Sequence, residues 1–279
     1  MAMVVKKIKT INKILIITAI LTFMLFMFVP YFWMILSSLK TRVDLLSTTP
    51  KWIFRPTLEN FPKVFIEREF LKYFVNSLVI SVSSLTISLI IGIPCAYAIS
   101  RFEFQAKGHF FFYILSTRMA PPVAFALPMY ILFSKFGILG THLAVILAHI
   151  TITLSFIIWI MKGFFDDIPI ELEQAAMTDG YTIFGAFKNV ILPIVKPGIV
   201  ATSLFSFIFS WNEFLFALVL GGSASRTLPA AFPGLVTPHG TFWAQLSAAG
   251  TVVTIPIIIL AFILQKHLVR GLSFGAVKQ

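Results

Sequence analysis

Six long apolar segments, separated by shorter polar stretches, constrain the fold of this chain more than any other feature of its sequence. They cover residues 14–36, 72–99, 109–133, 142–165, 199–220 and 244–265. Each is long enough to cross a bilayer, because a spanning helix needs about 20 mostly apolar residues. Of the 279 residues, 58% are hydrophobic and 12% are charged, whereas soluble domains are about 45–50% apolar and about 25% charged. We therefore predict an all-α membrane protein with six transmembrane helices.

The basic residues predict the orientation of these helices. The first apolar segment continues to about residue 37, far beyond the 7–15 apolar residues that are typical of a cleaved signal, so we expect a retained first span. Lysines before a first span favour a cytoplasmic N-terminus, and six spans return the chain to the same side. Both termini are therefore predicted to be cytoplasmic. The lysines concerned are Lys6, Lys7, Lys9 and Lys13.

Several functional classes find no support in the sequence. No GxxxxGK loop and no GxGxxG turn is present, so we expect no nucleotide to bind this chain, and any ATP hydrolysis to occur on a separate subunit. Cys95 is the only cysteine, which excludes an intrachain disulfide and a cysteine metal cluster. The net charge of +11 comes mostly from residues that flank apolar segments, which does not favour nucleic-acid binding. We predict no catalytic residue, no metal and no enzymatic activity.

The distribution of polar residues predicts three parts. Residues 1–71 hold an N-terminal cytoplasmic segment, the first span and an external loop. Residues 72–268 form a core of five helices, interrupted by a polar loop at about 166–198. Residues 269–279 form a cytoplasmic tail.

The first half of the polar loop has the pattern of a short helix. Pro169 stands in its first turn, where proline is tolerated, and residues 170–178 are good helix formers. Gly180 supplies a turn that ends the helix. Acidic residues at its beginning complement the helix dipole. These are Asp166, Asp167, Glu171 and Glu173.

The second half of the loop predicts another short helix over 182–191. Phe184, Phe187 and Ile191 are spaced to form one apolar stripe, and Pro193 and Pro197 are expected to end the helix before the next span. The periodicity alone is equally consistent with an amphipathic loop that rests on the bilayer surface.

Residues of this loop resemble the EAA loop of ABC-importer permeases, E-x-x-E-A-A-x-x-D-G followed by phenylalanine and L-P-x-x-x-P. Gln174 departs from the pattern, where the family has a second glutamate, and so does Tyr181, where alanine is common. A glutamine still forms hydrogen bonds but no ion pair, so one charged contact is in doubt. The matching residues are Glu171, Ala175, Ala176, Asp179, Gly180, Phe187, Leu192, Pro193 and Pro197. The W-N-E-F of residues 211–214 and the C-terminal stretch 265–279 are similar to sugar permeases of the maltose-transporter type.

This resemblance implies a type I ABC importer permease fold and a place in the cell membrane. The loop would sit in a cleft of an ATPase subunit and transmit ATP-driven motion to the spans, which would move solute by alternating access. ATP and magnesium would bind the ATPase and not this chain. The implied partners are a second permease, two ATP-binding subunits, an external solute-binding protein, the lipid bilayer, and a sugar, oligosaccharide or polyol as substrate. The implied coupling residues are Glu171, Gln174, Ala175, Ala176, Asp179, Gly180, Phe184 and Phe187. In such permeases the C-terminal tail can also reach into the ATPase dimer.

Polar residues inside the spans predict the substrate pathway. Ionisable groups in a membrane are costly and suggest a functional role, which points to Arg118, Asn212 and Glu213. Pro121, Pro122 and Pro128 are expected to break the third span beside Arg118. Arg118 alternatively extends to the membrane interface or pairs with Glu213 or with a partner subunit. His149 is expected to be a hydrogen-bonded packing residue.

Two other functions remain open on the sequence. An ion-coupled secondary transporter would need paired carboxylates within the membrane, whereas Glu213 is the only acidic residue deep in a span. A permease for another solute, such as glycerol phosphate or an amino acid, is favoured only by the positive charge of Arg118.

Overall fold

The computed structural model describes residues 2–238 and 240–274, with side chains from residue 13 to residue 238 and from 240 to 265. Helices account for most of it. The main helices are α1 (Ala2–Ser38), α2 (Phe70–Arg101), α3 (Lys107–Met119), α4 (Pro122–Lys135), α5 (His142–Asp166), α6 (Glu171–Thr178), α7 (Ile183–Ala186), α8 (Leu192–Trp211), α9 (Leu215–Leu220) and α10 (Trp243–Phe274). Shorter helical pieces are Arg42–Leu45, Asn60–Pro62, Lys63–Glu67, Leu228–Ala231 and Phe232–Leu235. A two-residue antiparallel ladder joins Val236–Thr237 to Gly240–Thr241.

Five helical stretches are long and apolar enough to cross a membrane, and a bent pair of helices makes a sixth if it is counted as one span. This confirms the predicted helical membrane fold. The five stretches are Lys13–Ser38, Phe70–Arg101, His142–Asp166, Ile183–Trp211 and Trp243–Gln265, and the bent pair is Lys107–Met119 with Pro122–Lys135.

The bend between α3 and α4 measures 96° and falls at the predicted prolines. Ala120 and Pro121 have extended backbones, with ψ angles of 140° and 133°. A residue before proline is pushed out of the helical region by the proline ring, which explains the end of α3. Pro122 then begins α4, where its missing N–H leaves no helical hydrogen bond unmade.

The fifth span differs from the prediction at both ends. Pro193 and Pro197 do not end a helix before it, because a π-turn over Phe187–Ile191 joins α7 to α8 without a break. A π-turn widens the helix by one residue, and we infer that this makes room for the Pro193 ring, which would otherwise clash with the preceding turn. At the other end, the predicted continuous span to residue 220 is interrupted between α8 and α9.

The chain forms two compact units. Residues up to Phe70 together with Gly234–Thr254 form the first, and Leu71–Pro233 together with the residues from Ile255 onward form the second. The predicted boundary after residue 71 lies beside this division. The predicted tail, 269–279, lies partly outside the described residues.

In the first unit, the segment after α1 is held by buried polar contacts. Lys40 is only 1% exposed. Its ammonium lies 4.3 Å from the ring centre of Trp33 and 5.1 Å from that of Phe54. The side-chain amide of Asn60 donates hydrogen bonds of 2.9 Å to the carbonyls of Ser38 and Lys40. These contacts hold the segment that follows α1 in place.

In the second unit, α2, α5 and the helix formed by α7, the π-turn and α8 surround one apolar core. Helices α5 and α8 approach closely at Gly198, where an added Cβ would lie 2.7 Å from the Phe164 ring. The buried members of the core are Ala96, Tyr97, Ile99, Ile157, Ile158, Met161, Phe165, Ile168, Phe187, Ile191 and Val195. Residues of the polar loop are therefore packed directly onto the ends of two spans.

Candidate functional site

The first helix of the polar loop, α6, ends as the sequence predicts. Gly180 has a φ of +95°, a conformation that favours glycine. The Tyr181 N–H donates to the Ala176 carbonyl and the Gly180 N–H to the Met177 carbonyl, each at 3.1 Å. This pair of bonds is the Schellman arrangement that closes helix C-termini. It fixes the direction in which the chain leaves α6.

The residues of α6 divide into an inward and an outward set. Glu173 and Ala176, one helical turn apart, are each 6% exposed. The remaining predicted coupling residues of this half of the loop have exposed side chains or an exposed backbone turn. They are Glu171, Gln174, Ala175, Asp179 and Gly180. The outward set can reach a partner, whereas the inward set contacts only this chain.

Glu173 is held by two residues near the end of α2. Its Oε1 accepts a hydrogen bond from Arg101 Nε at 2.5 Å, and its Oε2 accepts one from the Tyr97 hydroxyl at 2.8 Å. Arg101 Nη2 also donates to the Ile168 carbonyl at 2.9 Å. Sequence reasoning missed Arg101 and Tyr97, because a basic residue at the end of an apolar segment is usually an ordinary flanking charge.

The second half of the loop is anchored by Phe187. The Thr182 hydroxyl accepts from the Gly185 N–H at 3.1 Å and so caps α7. Phe187 is 7% exposed and its ring centre lies 4.5 Å from that of Tyr97. Phe184, the first residue of the predicted stripe, lies beside Phe187, with 6.4 Å between the ring centres, but is 71% exposed. Phe187 and Ile191, the first and last residues of the π-turn, are the buried members of the stripe.

Glu213 lies at the break between α8 and α9 and belongs to a buried network. Its carboxylate accepts hydrogen bonds from the N–H groups of Phe216 and Ala217, at 2.9 and 3.0 Å, which belong to the first turn of α9. The other side of the network is His149, whose Nε2 lies 3.2 Å from Glu213 Oε2 and whose Nδ1 lies 2.7 Å from Ser210 Oγ. His149 is 1% exposed, which confirms the expected packing histidine.

Arg118 does not pair with Glu213, so that predicted alternative is wrong. Its guanidinium lies between two aromatic rings instead, 4.6 Å from the ring centre of Phe156 and 4.7 Å from that of Phe209. Such cation–π contacts stabilise a partly desolvated cation. Nη1 is buried without a hydrogen bond, and no carboxylate in the described part of the chain lies within ion-pair distance of Arg118. The third predicted pathway residue, Asn212, is exposed and donates from Nδ2 to the Ile208 carbonyl at 2.9 Å.

The side chains described give no candidate for metal binding, since they contain no group of three or more His, Cys, Asp or Glu with suitable placement. The arrangement offers two functional features instead. One is a loop with an exposed face and a firm inner anchor. The other is a pair of helix breaks, at residues 120–121 and 212–214, each with polar side chains.

Comparison with known proteins identifies the family of proteins to which a chain with these features belongs. The profile of the family described as binding-protein-dependent transport system inner membrane component matches residues 88–274. The chain belongs to this family. The match includes the whole polar loop and both helix breaks, and the permease is therefore a multi-pass protein of the cell membrane. The family assignment replaces the alternative of an ion-coupled secondary transporter.

Relatives along nearly the full length agree with this assignment. The diacetylchitobiose uptake system permease protein DasC of Streptomyces coelicolor is 34% identical over 264 residues, which cover 94% of this chain and 95% of the relative. The trehalose/maltose transport system permease protein MalG of Thermococcus litoralis is 32% identical over 269 residues, which cover 95% and 96% of the two chains. These relatives confirm the predicted resemblance to permeases of ABC importers.

A solved structure supports the same fold. A chain of a bacterial ABC transporter involved in the import of the acidic polysaccharide alginate superimposes with a TM-score of 0.75. The superposition covers 92% of the permease and 96% of that chain, at 19% sequence identity. It confirms the predicted type I ABC importer permease fold.

Proposed function

We propose that the permease imports a sugar, oligosaccharide or polyol by alternating access, as one subunit of an ATP-driven importer. The named substrates of its relatives, diacetylchitobiose for DasC and trehalose or maltose for MalG, support a saccharide. The complex would contain a second permease, two ATP-binding subunits that hold ATP and magnesium, and an external solute-binding protein. Chemistry would then occur only on the ATP-binding subunits. In this arrangement both termini and the polar loop face the cytoplasm.

The exposed face of the polar loop is the observation that carries the coupling role. We assign contact with the ATPase to its outward residues, and assign Ala176 and Phe187 to packing of the loop against the spans. A firm inner anchor matters because a flexible loop would absorb motion instead of transmitting it. The outward residues are Glu171, Gln174, Ala175, Asp179, Gly180 and Phe184. The implied contribution of residues 271–279 to the ATPase contact falls largely outside the described residues.

Substitution of Gly180 by tryptophan tests this coupling. An added Cβ at Gly180 would meet no atom within 4 Å, so this exposed turn has room for a tryptophan ring, on the face that we propose to contact the ATPase. We expect Gly180→Trp to insert at normal abundance but to uncouple ATP hydrolysis from solute uptake in proteoliposomes. Normal coupled uptake by this variant would contradict the docking role.

Gly180→Asn is the matched variant. Asparagine shares the strain of a positive φ, which it tolerates better than most residues, but lacks the large ring. The difference between the two variants therefore reports on the projecting ring together with the greater strain of tryptophan at a positive φ. Equal uncoupling by both would assign the effect to the backbone turn and not to docking.

The helix breaks are the proposed substrate side of the permease. We assign Arg118 and Asn212 to the solute pathway, because each places a polar group at an interruption of a span, where backbone carbonyls are tolerated only against protein or water. Glu213 contributes to the pathway by fixing the second break through His149 and α9.

Gentle extraction of the tagged permease from its native membrane tests the proposed assembly. We expect an ATPase, a second permease and a solute-binding protein to co-purify, and the ligand of the binding protein then identifies the solute. Recovery of the permease alone, with transport that needs no ATP, would contradict the proposal.

A further inference from the structure

We propose that Arg101 is a positioning residue that links the polar loop to α2, with Glu173 as its partner on the loop. ATP-driven displacement of the loop would then move the end of α2 directly. The proposal rests on the proposed docking of the loop with an ATPase, and adds the route by which motion leaves the loop.

The contacts of Arg101 join two separate parts of the loop region to one residue. Arg101 is the last residue of α2. Its Nε bonds to the Glu173 carboxylate within α6, and its Nη2 bonds to the Ile168 carbonyl, where the chain leaves α5. The neighbouring Ser100 hydroxyl donates to Asp166 Oδ1 at 2.5 Å. The last turn of α2 thus forms hydrogen bonds both to the start of the loop and to its first helix.

The burial of this ion pair makes the link stiff. The side chains of Arg101 and Glu173 are 9% and 8% exposed, so water screens their attraction little. Removal of one partner from a buried pair leaves an uncompensated charge, which is strongly unfavourable. Separation of the loop from α2 would do the same, so the two are expected to move as one body.

Both carboxylate oxygens of Glu173 are used in contacts with α2. Oε1 accepts from Arg101 and Oε2 accepts from Tyr97, which leaves neither oxygen directed toward the exposed face of the loop. Tyr97 also packs against Phe187 in the second half of the loop. Both halves of the loop therefore meet on the same turn of α2. Glu173 is for this reason assigned to transmission within the permease and not to contact with the ATPase.

The test measures the ATP hydrolysed per solute molecule imported by the complete transporter in proteoliposomes, with its binding protein present. We expect Glu173→Gln and Arg101→Gln to keep the ATPase in the purified complex but to raise this ratio about fivefold or more, the lower end of typical coupling between sites. Glu103→Gln is the control. Glu103 lies two residues after Arg101, and its substitution breaks only an exposed ion pair with Lys107. It is expected to leave the ratio unchanged.

A charge-swap variant separates transmission from a loss of shape. Arg101→Glu combined with Glu173→Arg restores opposite charges across the same contact, and we expect its ratio to fall part of the way back toward that of the unmodified permease. A residue that only stabilised the fold would alter abundance and thermal stability without altering the ratio.

Two results would overturn the proposal. One is a ratio for Glu173→Gln equal to that of Glu103→Gln, and the other is loss of the ATPase from the Glu173→Gln complex, which would place Glu173 in docking itself. Failure of the proposed function has a different signature, namely normal coupling by Gly180→Trp and no ATPase bound to the unmodified permease.

Discussion

Replacement of Glu213 by alanine is expected to destabilise the permease, because Glu213 holds three buried donors at the break between α8 and α9. Its carboxylate accepts from the N–H groups of Phe216 and Ala217 and lies 3.2 Å from His149 Nε2. Loss of a side chain that caps the first turn of a helix costs about 1 kcal/mol. A buried donor left without a partner, here His149, costs about 1–3 kcal/mol. The expected total is about 2–4 kcal/mol.

Thermal unfolding of the purified permease in detergent measures this loss. A change of about 1 kcal/mol shifts the melting temperature of a chain of roughly this size by about 2–4 °C, so we expect a fall of roughly 4–16 °C for Glu213→Ala. Glu213→Gln retains an oxygen that accepts from the first turn of α9 and should show a smaller fall. The two variants together separate the loss of hydrogen bonds from the loss of charge.

Asn212→Ala is the matched neighbour, with the opposite expected outcome. Asn212 is exposed and its amide bonds only within its own helix, to the Ile208 carbonyl, so its removal should leave abundance and melting temperature unchanged and weaken uptake. The reasoning would be refuted by a Glu213→Ala variant that melts normally but has a raised KM for uptake. Glu213 would then face the solute and not the interior.

Two further substitutions test the packing and the pathway. Gly198→Ala would bring a Cβ to 2.7 Å from the Phe164 ring, so we expect a loss of about 1–3 kcal/mol from overpacking in thermal unfolding. Gly108→Ala is the control, because an added Cβ there meets no atom within 4 Å, and it should be neutral or slightly stabilising. Arg118→Met removes the cation beside Phe156 and is expected to lower the initial rate of uptake at unchanged abundance, with part of the rate kept by Arg118→Lys; full uptake by Arg118→Met would place Arg118 outside the pathway.

The sequence predicts the features of this fold that depend on neighbouring residues. Apolar length predicts the spans, the paired prolines predict the break after α3, and Gly180 predicts the end of α6. Pro193 shows where local rules fail. Proline normally ends a helix, but here a π-turn over Phe187–Ile191 comes before Pro193 and the helix continues into α8.

The pairings of buried polar groups are a second part that the sequence does not predict. Arg101 and Glu173 are 72 residues apart, and His149 and Glu213 are 64 apart. Which of several charged residues pair depends on how the helices rotate and cross, and a single sequence carries no direct signal of these rotations and crossing angles. The sequence left the pairing of Glu213 with Arg118 open as one of several alternatives. In the structure the carboxylate of Glu213 contacts His149 instead.

The spacing of the two glutamates in α6 explains how one short helix can serve two contacts. Residues two apart on a helix do not face each other, so Glu171 is exposed while Glu173 is buried against Arg101. The glutamine at position 174 lies on the exposed side, where it replaces a charge that the family pattern would offer to the ATPase. Because the buried carboxylate is present, we propose that this departure would weaken at most one contact with the ATPase and would leave the link from the loop to α2 intact. Coupling in this permease should therefore be more sensitive to changes at Glu173 than to the presence of glutamine at position 174.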